Sequence, residues 1–215
     1  MLNLKLITGG RLYDLMEDMD IWVRNYNIGE AEPNTYYVNV PYRDGSLDLS
    51  GVFGKNTYKD RRIKCELLIV AKDYMRAYNE LNRLFNGKVC RMILSNEDYY
   101  YEGRVTIGAL KSERFKFKSD MEMTAYPYKY KRTETSVEVL ASYSGTSIVL
   151  RNSQMPVKPR FLSDSAVTIT VGDKTYNLPA NAETQFDDLV LSDTSTEIIV
   201  TGTGTVTITY REGIL

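Results

Sequence analysis

Along most of this chain apolar residues alternate with polar ones at the two-residue period of half-buried β-strands. From Arg61 to Val70, Ile63, Cys65, Leu67 and Ile69 share one face, and Arg62, Lys64 and Glu66 share the other. Further on, Phe115, Phe117, Met121, Met123 and Ala125 alternate with Arg114, Lys116, Lys118, Asp120, Glu122 and Thr124. Shorter strands are predicted at Leu2 to Ile7, Ile21 to Tyr26, Tyr36 to Val40, Val89 to Leu94 and Tyr99 to Ala109. Asn27-Ile28-Gly29-Glu30, Pro33-Asn34 and Asn96-Glu97-Asp98 supply turn chemistry between them. Arg11 to Asp18 reads as a loop or one helical turn. The period changes clearly once. Tyr74, Tyr78, Leu81 and Phe85 recur at spacings of three and four, which predicts a helix over about 73–86 that packs on a sheet. Asp73 is placed to cap its start, and Gly87 to stop it.

Residues 41–60 follow no such period. Asp44-Gly45 signals a tight turn, and Gly51 and Gly54 add bends. A polar segment with so little to bury reads as a projecting loop or hairpin arm, not as core. A second break falls at Lys131-Arg132-Thr133-Glu134-Thr135-Ser136, after Tyr126-Pro127-Tyr128. Beyond it the chain turns rich in Thr, Ser and Val. Short alternating runs recur at Val137 to Ala141, Ser147 to Leu150, Val167 to Val171, Thr175 to Leu178, Leu189 to Leu191, Ile198 to Thr201 and Thr205 to Tyr210. Strands this short, separated by turn signals, predict a β-sandwich. The run holding Pro156 and Pro159 is expected to be an edge strand or a connection. The predicted architecture is mainly β with one α-helix. Residues 1–133 form an N-terminal antiparallel β-sandwich with a helix and a β-hairpin arm, and residues 134–215 a small C-terminal β-sandwich.

Length and composition add limits. With 215 residues the chain can bury a core without disulfides or metals. Its 27 basic and 28 acidic residues nearly cancel, so it lacks the overall positive field that drives non-specific nucleic-acid binding. Weak self-repulsion also lets copies approach one another. The 17 tyrosines suit either large contact surfaces or simple β-propensity. Cys65 and Cys90 match no metal spacing; free buried thiols are expected, with a disulfide the alternative. The N-terminus lacks a secretory h-region and cleavage site, and no span reaches lipid-crossing length. Synthesis in a cytoplasm and no membrane partner are therefore expected.

The chain has no histidine, which removes Ser-His-Asp and Cys-His arrangements and the His-based zinc motifs. A two-carboxylate glycosidase stays open in principle, but no spacing signals one. Glu183, Asp187, Asp188 and Asp193 lack the Gly and terminal Glu of a calcium loop and read as a solvated face. Gly202-Thr203-Gly204 precedes a strand pattern, so it is a hairpin turn and not a phosphate loop. Trp22 is expected in core packing ahead of sugar stacking. Tyr99-Tyr100-Tyr101 must send rings to both faces of a strand, which makes Tyr99 and Tyr101 candidate exposed aromatics. The outer charges of residues 114–125 run basic then acidic; they form a solvated face or, alternatively, align two subunits. No catalytic, cofactor-binding or metal-binding residue is assigned.

Val40-Pro41-Tyr42-Arg43-Asp44-Gly45-Ser46-Leu47-Asp48, Phe53-Gly54 and Tyr58-Lys59-Asp60-Arg61-Arg62-Ile63 resemble the signature region of the siphophage distal tail protein (Dit) family. The order of strand, helix, strands and a closing all-β module is similar too, as is the ending Gly202-Thr203-Gly204-Thr205-Val206-Thr207-Ile208-Thr209-Tyr210-Arg211-Glu212-Gly213. The match spans both ends of the chain and most of the middle. Tyr42 departs from the pattern, which has Gly after the Pro.

The resemblance implies an N-terminal ring-forming domain and a galectin-like C-terminal sandwich. It also implies a cofactor-free homohexameric ring in the virion tail, joining the tail tube to the adsorption apparatus. DNA would meet this ring only in passage. Implied partners are a tail tube protein, a tape-measure protein and a tail-associated or receptor-binding protein. Residues 41–60 are then expected at a subunit contact, with Arg43, Asp44, Asp48, Phe53, Tyr58 and Arg61 as candidates. The alternative is a carbohydrate-binding module that recognises host surface glycans, carried by the C-terminal sandwich.

Overall fold

A computed structural model describes residues 3–52, 56–95, 97–113 and 116–215. Phe53, one of the contact candidates, lies outside the described residues, as do Leu2, Gly54, Asn96, Arg114 and Phe115. The chain divides into two compact units, Met1–Lys129 and Tyr130–Leu215.

The first unit is built on antiparallel strands. In chain order come β1 (Leu4–Thr8), β2 (Arg11–Asp14), α1 (Leu15–Met19), β3 (Ile21–Ile28), β4 (Tyr37–Asn39), β5 (Ser46–Asp48), β6 (Arg61–Ile69) and α2 (Tyr74–Phe85). They are followed by β7 (Val89–Leu94), β8 (Tyr99–Ile107), β9 (Lys111–Glu113) and β10 (Lys116–Ala125); β11 (Lys129–Lys131) begins on the last residue of this unit and belongs mostly to the next. One continuous hydrogen-bonded path runs β2-β1-β7-β8-β10-β6-β3, antiparallel throughout. The phase read from the sequence places Ile63, Cys65, Leu67 and Ile69 inside, with Met121 and Met123 opposite Cys65 and Ile63 across the ladder. Helix α2 adds Ala77, Leu81, Leu84 and Phe85 to this core. Asp73 caps it by accepting from Arg76 N–H at 3.0 Å. A second, five-residue helix, α1, occupies the segment left open between loop and turn. Asp14 caps it by accepting from Met16 and Glu17 N–H. Cys65 and Cys90 are both buried and unpaired.

The second unit holds β12 (Thr135–Leu140), β13 (Thr146–Leu150), β14 (Arg160–Ser163), β15 (Val167–Val171), β16 (Lys174–Leu178), β17 (Thr184–Gln185), β18 (Thr196–Gly202), β19 (Thr205–Tyr210) and β20 (Gly213–Ile214). Two four-stranded sheets, β12-β19-β14-β17 and β13-β18-β15-β16, close over Phe161, Ile169, Leu178, Ile198, Val206 and Ile208. The predicted sandwich is therefore present. The run holding Pro156 and Pro159 is a connection, one of the two expected forms: it joins β13 to β14 and adds only the isolated bridge of Val157 to Leu191. Both prolines precede the ladder, so neither costs it a donor. Leu189 to Leu191, expected as a strand, contributes only an isolated bridge between Leu191 and Val157.

Glu212 ties the last segment of this unit down. It accepts from Lys131 Nζ (3.0 Å), Thr135 Oγ1 (2.6 Å) and Ser153 Oγ (2.7 Å). Burial raises the Glu212 pKa, but these donors together outweigh burial and hold it below the ordinary glutamate value. The anion is thus favoured by folding. Its contribution is present above the unfolded pKa of about 4.3 and is lost as pH falls through the lower folded value. In acid titrations followed by tyrosine fluorescence, Glu212→Gln is expected to flatten the loss of stability below about pH 4.3.

Candidate functional site

Residues 29–60 leave the first sheet and return to it, and none of those described is buried. The segment nevertheless has a defined backbone. At its root Gly29 N–H donates to Arg62 O (2.8 Å) and Lys59 N–H to Glu32 O (2.8 Å). Farther out Asn34 N–H donates to Thr57 O, and Leu49 N–H to Tyr36 O. β4 and β5 then pair from Tyr37–Asp48 to Asn39–Ser46. Asp48 accepts from the backbone and hydroxyl of Ser50, and Ser50 Oγ accepts from Tyr36 N–H. The Ser50 hydroxyl, followed by its backbone N–H, holds the Asp48 carboxyl below its ordinary value. The predicted hairpin arm exists, held by hydrogen bonds and not by a core.

Its outer part carries apolar surface. Tyr36, Tyr37, Val40, Tyr42 and Val52 are all exposed. Tyr42, which departs from the Dit pattern, has φ +64° and is fully exposed (110%). That backbone region suits glycine and strains a bulky residue. A strained aromatic side chain in solvent gains nothing for the isolated chain, and such outliers cluster at functional sites.

The predicted contact residues divide. Arg43 and Asp44 are exposed in the turn between β4 and β5, and Asp48 is exposed on β5. Tyr58 sits half-buried at the root, edge-on to Tyr128 with ring centroids 6.1 Å apart. Arg61 lies inside, only 7% exposed, with its guanidinium 5.6 Å from the Tyr101 ring centroid. Tyr101 requires a correction. It is 4% exposed and belongs to the core, because alternation points it the same way as Val105 and Ile107. Tyr100 points the other way yet is also buried, with the Arg91 guanidinium 5.0 Å from its ring centroid. Tyr99 is half-buried, with Lys129 Nζ 5.2 Å from its ring centroid. Trp22 is corrected as well: it is half-buried opposite Leu68 and outside the core cluster. Of the arm tyrosines Tyr58 was a candidate, but Tyr36, Tyr37 and Tyr42 were not. Their signal was the density of aromatic residues in a segment with no burial period.

The outer face of β6 and β10 pairs its charges within the chain. Glu66 meets Arg24 (2.8 Å) and Lys118 (3.4 Å), Asp120 meets Lys111 (2.6 Å), and Glu122 meets Arg62 and Lys64 (3.8 Å each). These three carboxylates line a cavity of about 340 Å³ beside Tyr26 and Asn27. The acidic cluster of the second unit is likewise dispersed: Glu183 pairs with Arg160, Asp187 with Lys158 and Asp188 with Lys174. Among the described residues no group of three or more acidic or cysteine side chains is placed to hold a metal. Among them, too, no helix is long and apolar enough to cross a membrane.

No family model matches the sequence, and a search of curated proteins finds no match. Solved structures do match. The chain is similar to the crystal structure of the Dit protein of phage SPP1, described as a paradigm of hub adsorption apparatus in phages that infect Gram-positive bacteria. The two share 14% identity and a TM-score of 0.68, and the match covers 99% of each chain. A second match is the baseplate of phage p2 in its activated conformation with Sr, at 8% identity and a TM-score of 0.47 over 98% of each chain. The resemblance read from the sequence is thus borne out at the level of the fold.

Proposed function

We propose that this chain is a structural component of a bacteriophage tail tip that closes with its copies into a hexameric ring joining the tail tube to the host-adsorption apparatus. The full-length likeness to the SPP1 Dit protein carries this reading. The exposed, aromatic arm supports it: a projecting element without a core of its own is explained by a surface that covers it. Identical subunits joined head to tail form a closed ring when the rotation closes. On this reading residues 1–133 build the ring and residues 134–215 its outer sandwich. The work is done by mating surfaces, with no catalytic group or cofactor. Partners are a tail tube protein, a tape-measure protein and a tail-associated or receptor-binding protein; DNA only passes through. The location is the virion tail. Light scattering on the purified full chain, followed by negative-stain imaging, tests the reading. A hexamer mass and annular particles are expected; a monomer at every concentration overturns it.

One observation favours a second reading, glycan binding by the sandwich. Tyr143 is 83% exposed next to a hydroxyl chain in which Thr146 Oγ1 donates to Ser142 Oγ (3.1 Å) and Ser142 Oγ meets Ser144 Oγ (3.3 Å). An exposed ring beside hydroxyls suits sugar stacking. A glycan array probed with the full chain and with Tyr143→Ala decides it. Binding lost in the variant supports it, and no binding by the wild type removes it.

A further inference from the structure

Asp-Gly and Asn-Gly each occur once in this chain, at Asp44-Gly45 and Asn86-Gly87. In such a pair the glycine nitrogen can attack the side-chain carbonyl carbon of the residue before it, because glycine has no Cβ to crowd the approach or restrict rotation. The new C–N bond closes a five-membered succinimide. Asp expels water in this step, and Asn expels ammonia. Water then opens the ring. Opening at the former main-chain carbonyl leaves the chain running through the side chain, as isoaspartate. For Asp the water lost is regained, so the composition does not change. A carboxylate is a poorer electrophile than an amide, so in an unfolded chain Asn86 reacts first.

The fold reverses that order. Asn86 closes helix α2, and both of its reacting groups are engaged by β8. Gly87 N–H donates to Val105 O (2.8 Å), and Asn86 Oδ1 accepts from Ile107 N–H (3.0 Å). Ring closure there must break both bonds. At Asp44 nothing has to break. The β4–β5 ladder ends at Asn39–Ser46, and the turn beyond it is held by Arg43 N–H donating to Val40 O (3.3 Å). Among the described residues neither the Gly45 N–H nor the Asp44 carboxyl makes a hydrogen bond or ion pair. Gly45 has φ +74°, and a Cβ there would meet nothing within 4 Å, so the peptide has room to turn. Asp48 of the same arm is the contrast, because the Ser50 N–H and hydroxyl hold its carboxyl. The reacting atoms of Asp44-Gly45 therefore reach an attack geometry by rotation about exposed bonds alone.

We propose that Asp44 is a modification site of the folded chain: it converts to isoaspartate through the Gly45 nitrogen, while Asn86 is spared until the first unit opens. The product lengthens the main chain at the arm tip by one methylene and brings the carboxyl directly onto Cα. The site lies in the segment read above as a subunit contact, but the inference stands independently of that reading.

Tryptic mapping of the aged full chain tests it. Trypsin cuts after Arg24, Arg43 and Lys55, so fresh protein yields a peptide spanning 44–55. It does not cut before isoaspartate, so a peptide spanning 25–55 is expected to accumulate while the folded chain is held warm at neutral pH. Electron-based fragmentation of that peptide locates the isoaspartate, whose mass equals that of Asp. The peptide spanning 84–88, which carries Asn86, is expected to keep its amide over the same period. In urea the order is expected to invert, with acid appearing first at Asn86. Asp44 is exposed, so Asp44→Glu leaves the fold intact. This variant is expected to lose the uncut peptide, because its longer side chain closes no five-membered ring. Complete cleavage at Arg43 after ageing overturns the proposal. So does an uncut peptide that persists in Asp44→Glu, or an Asn86 that loses its amide in the folded chain as fast as Asp44 isomerises.

Discussion

Replacing Tyr36, Tyr37 and Tyr42 together with Ser is expected to abolish self-association of the full chain while leaving its melting temperature unchanged. All three rings are exposed, so the isolated subunit loses little packing with them. The arm backbone is held by hydrogen bonds that do not involve the rings: Tyr36 contributes its N–H and O, and β4 pairs through the main chain. Interface energy concentrates in a few aromatic anchors, each costing about 2 kcal/mol or more when truncated. Three such losses sum to about 6 kcal/mol; even if non-additivity leaves about half, a contact of micromolar strength is weakened roughly a hundredfold, out of the range in which the purified chain assembles. Tyr42→Gly separates the two roles of that residue. It relaxes the φ +64° backbone and removes the ring, so stability is expected to hold or rise while association weakens. Light scattering and thermal melts on the same samples check both. Intact assembly in the triple variant would remove the arm from the contact.

Gly103→Ala is expected to destabilise the first unit by about 3 kcal/mol or more. A Cβ at this position would lie 2.2 Å from Thr124 O and 2.5 Å from Ala125 Cα. Both are backbone atoms of β10, the neighbouring strand in the ladder, where Gly103 pairs with Ala125. No rotamer change can open that space, so the strands must part. On the other side Gly103 pairs with Cys90 of β7, so a shift there carries into the next ladder. Urea denaturation of the full chain is expected to show the first unit unfolding earlier and the second unit at an unchanged midpoint. The contrast control is Gly172→Ala, whose Cβ would meet nothing within 4 Å and whose only difficulty is a φ of +57°. Equal effects of the two changes would show that the close approach of β8 to β10 does not limit this site.

Much of the fold was legible wherever one face of an element is buried. β15 and β19 begin and end where alternation of Val, Ile and Thr predicts, because each second side chain enters the core. The helix stripe was legible for the same reason. β14 was not. It exposes Leu162 and buries Ser163, which donates no hydrophobic signal and instead accepts from Ser165 N–H, so the polarity pattern runs backwards. The tyrosine triplet has no internal contrast, and only the phase of Val105 and Ile107 tells which ring turns inward. Arg61 shows phase overriding charge: it lies in register with Ile63 and Cys65 and goes inside with them, although a guanidinium alone would be placed in water. The arm was legible as a departure from periodicity. Its tyrosine-bearing surface was not, because exposure of an aromatic ring is set by what fails to cover it. A single sequence does not display the surface of a neighbouring copy.

The state of the two sulfur atoms has a practical corollary. Burial pushes the Cys65 thiol up to about 12, and burial raises Cys90 as well, against the opposing hydrogen bond from Thr8 and the charge of Lys88. The thiolate is the form that attacks alkylating reagents, so both native sulfurs stay silent at neutral pH. A thiol engineered at Arg43 becomes the sole reactive handle on the molecule. A maleimide that carries a photoreactive group, attached there, would on illumination trap whichever neighbour the arm touches, and the tryptic fragment it carries away would spell out the address.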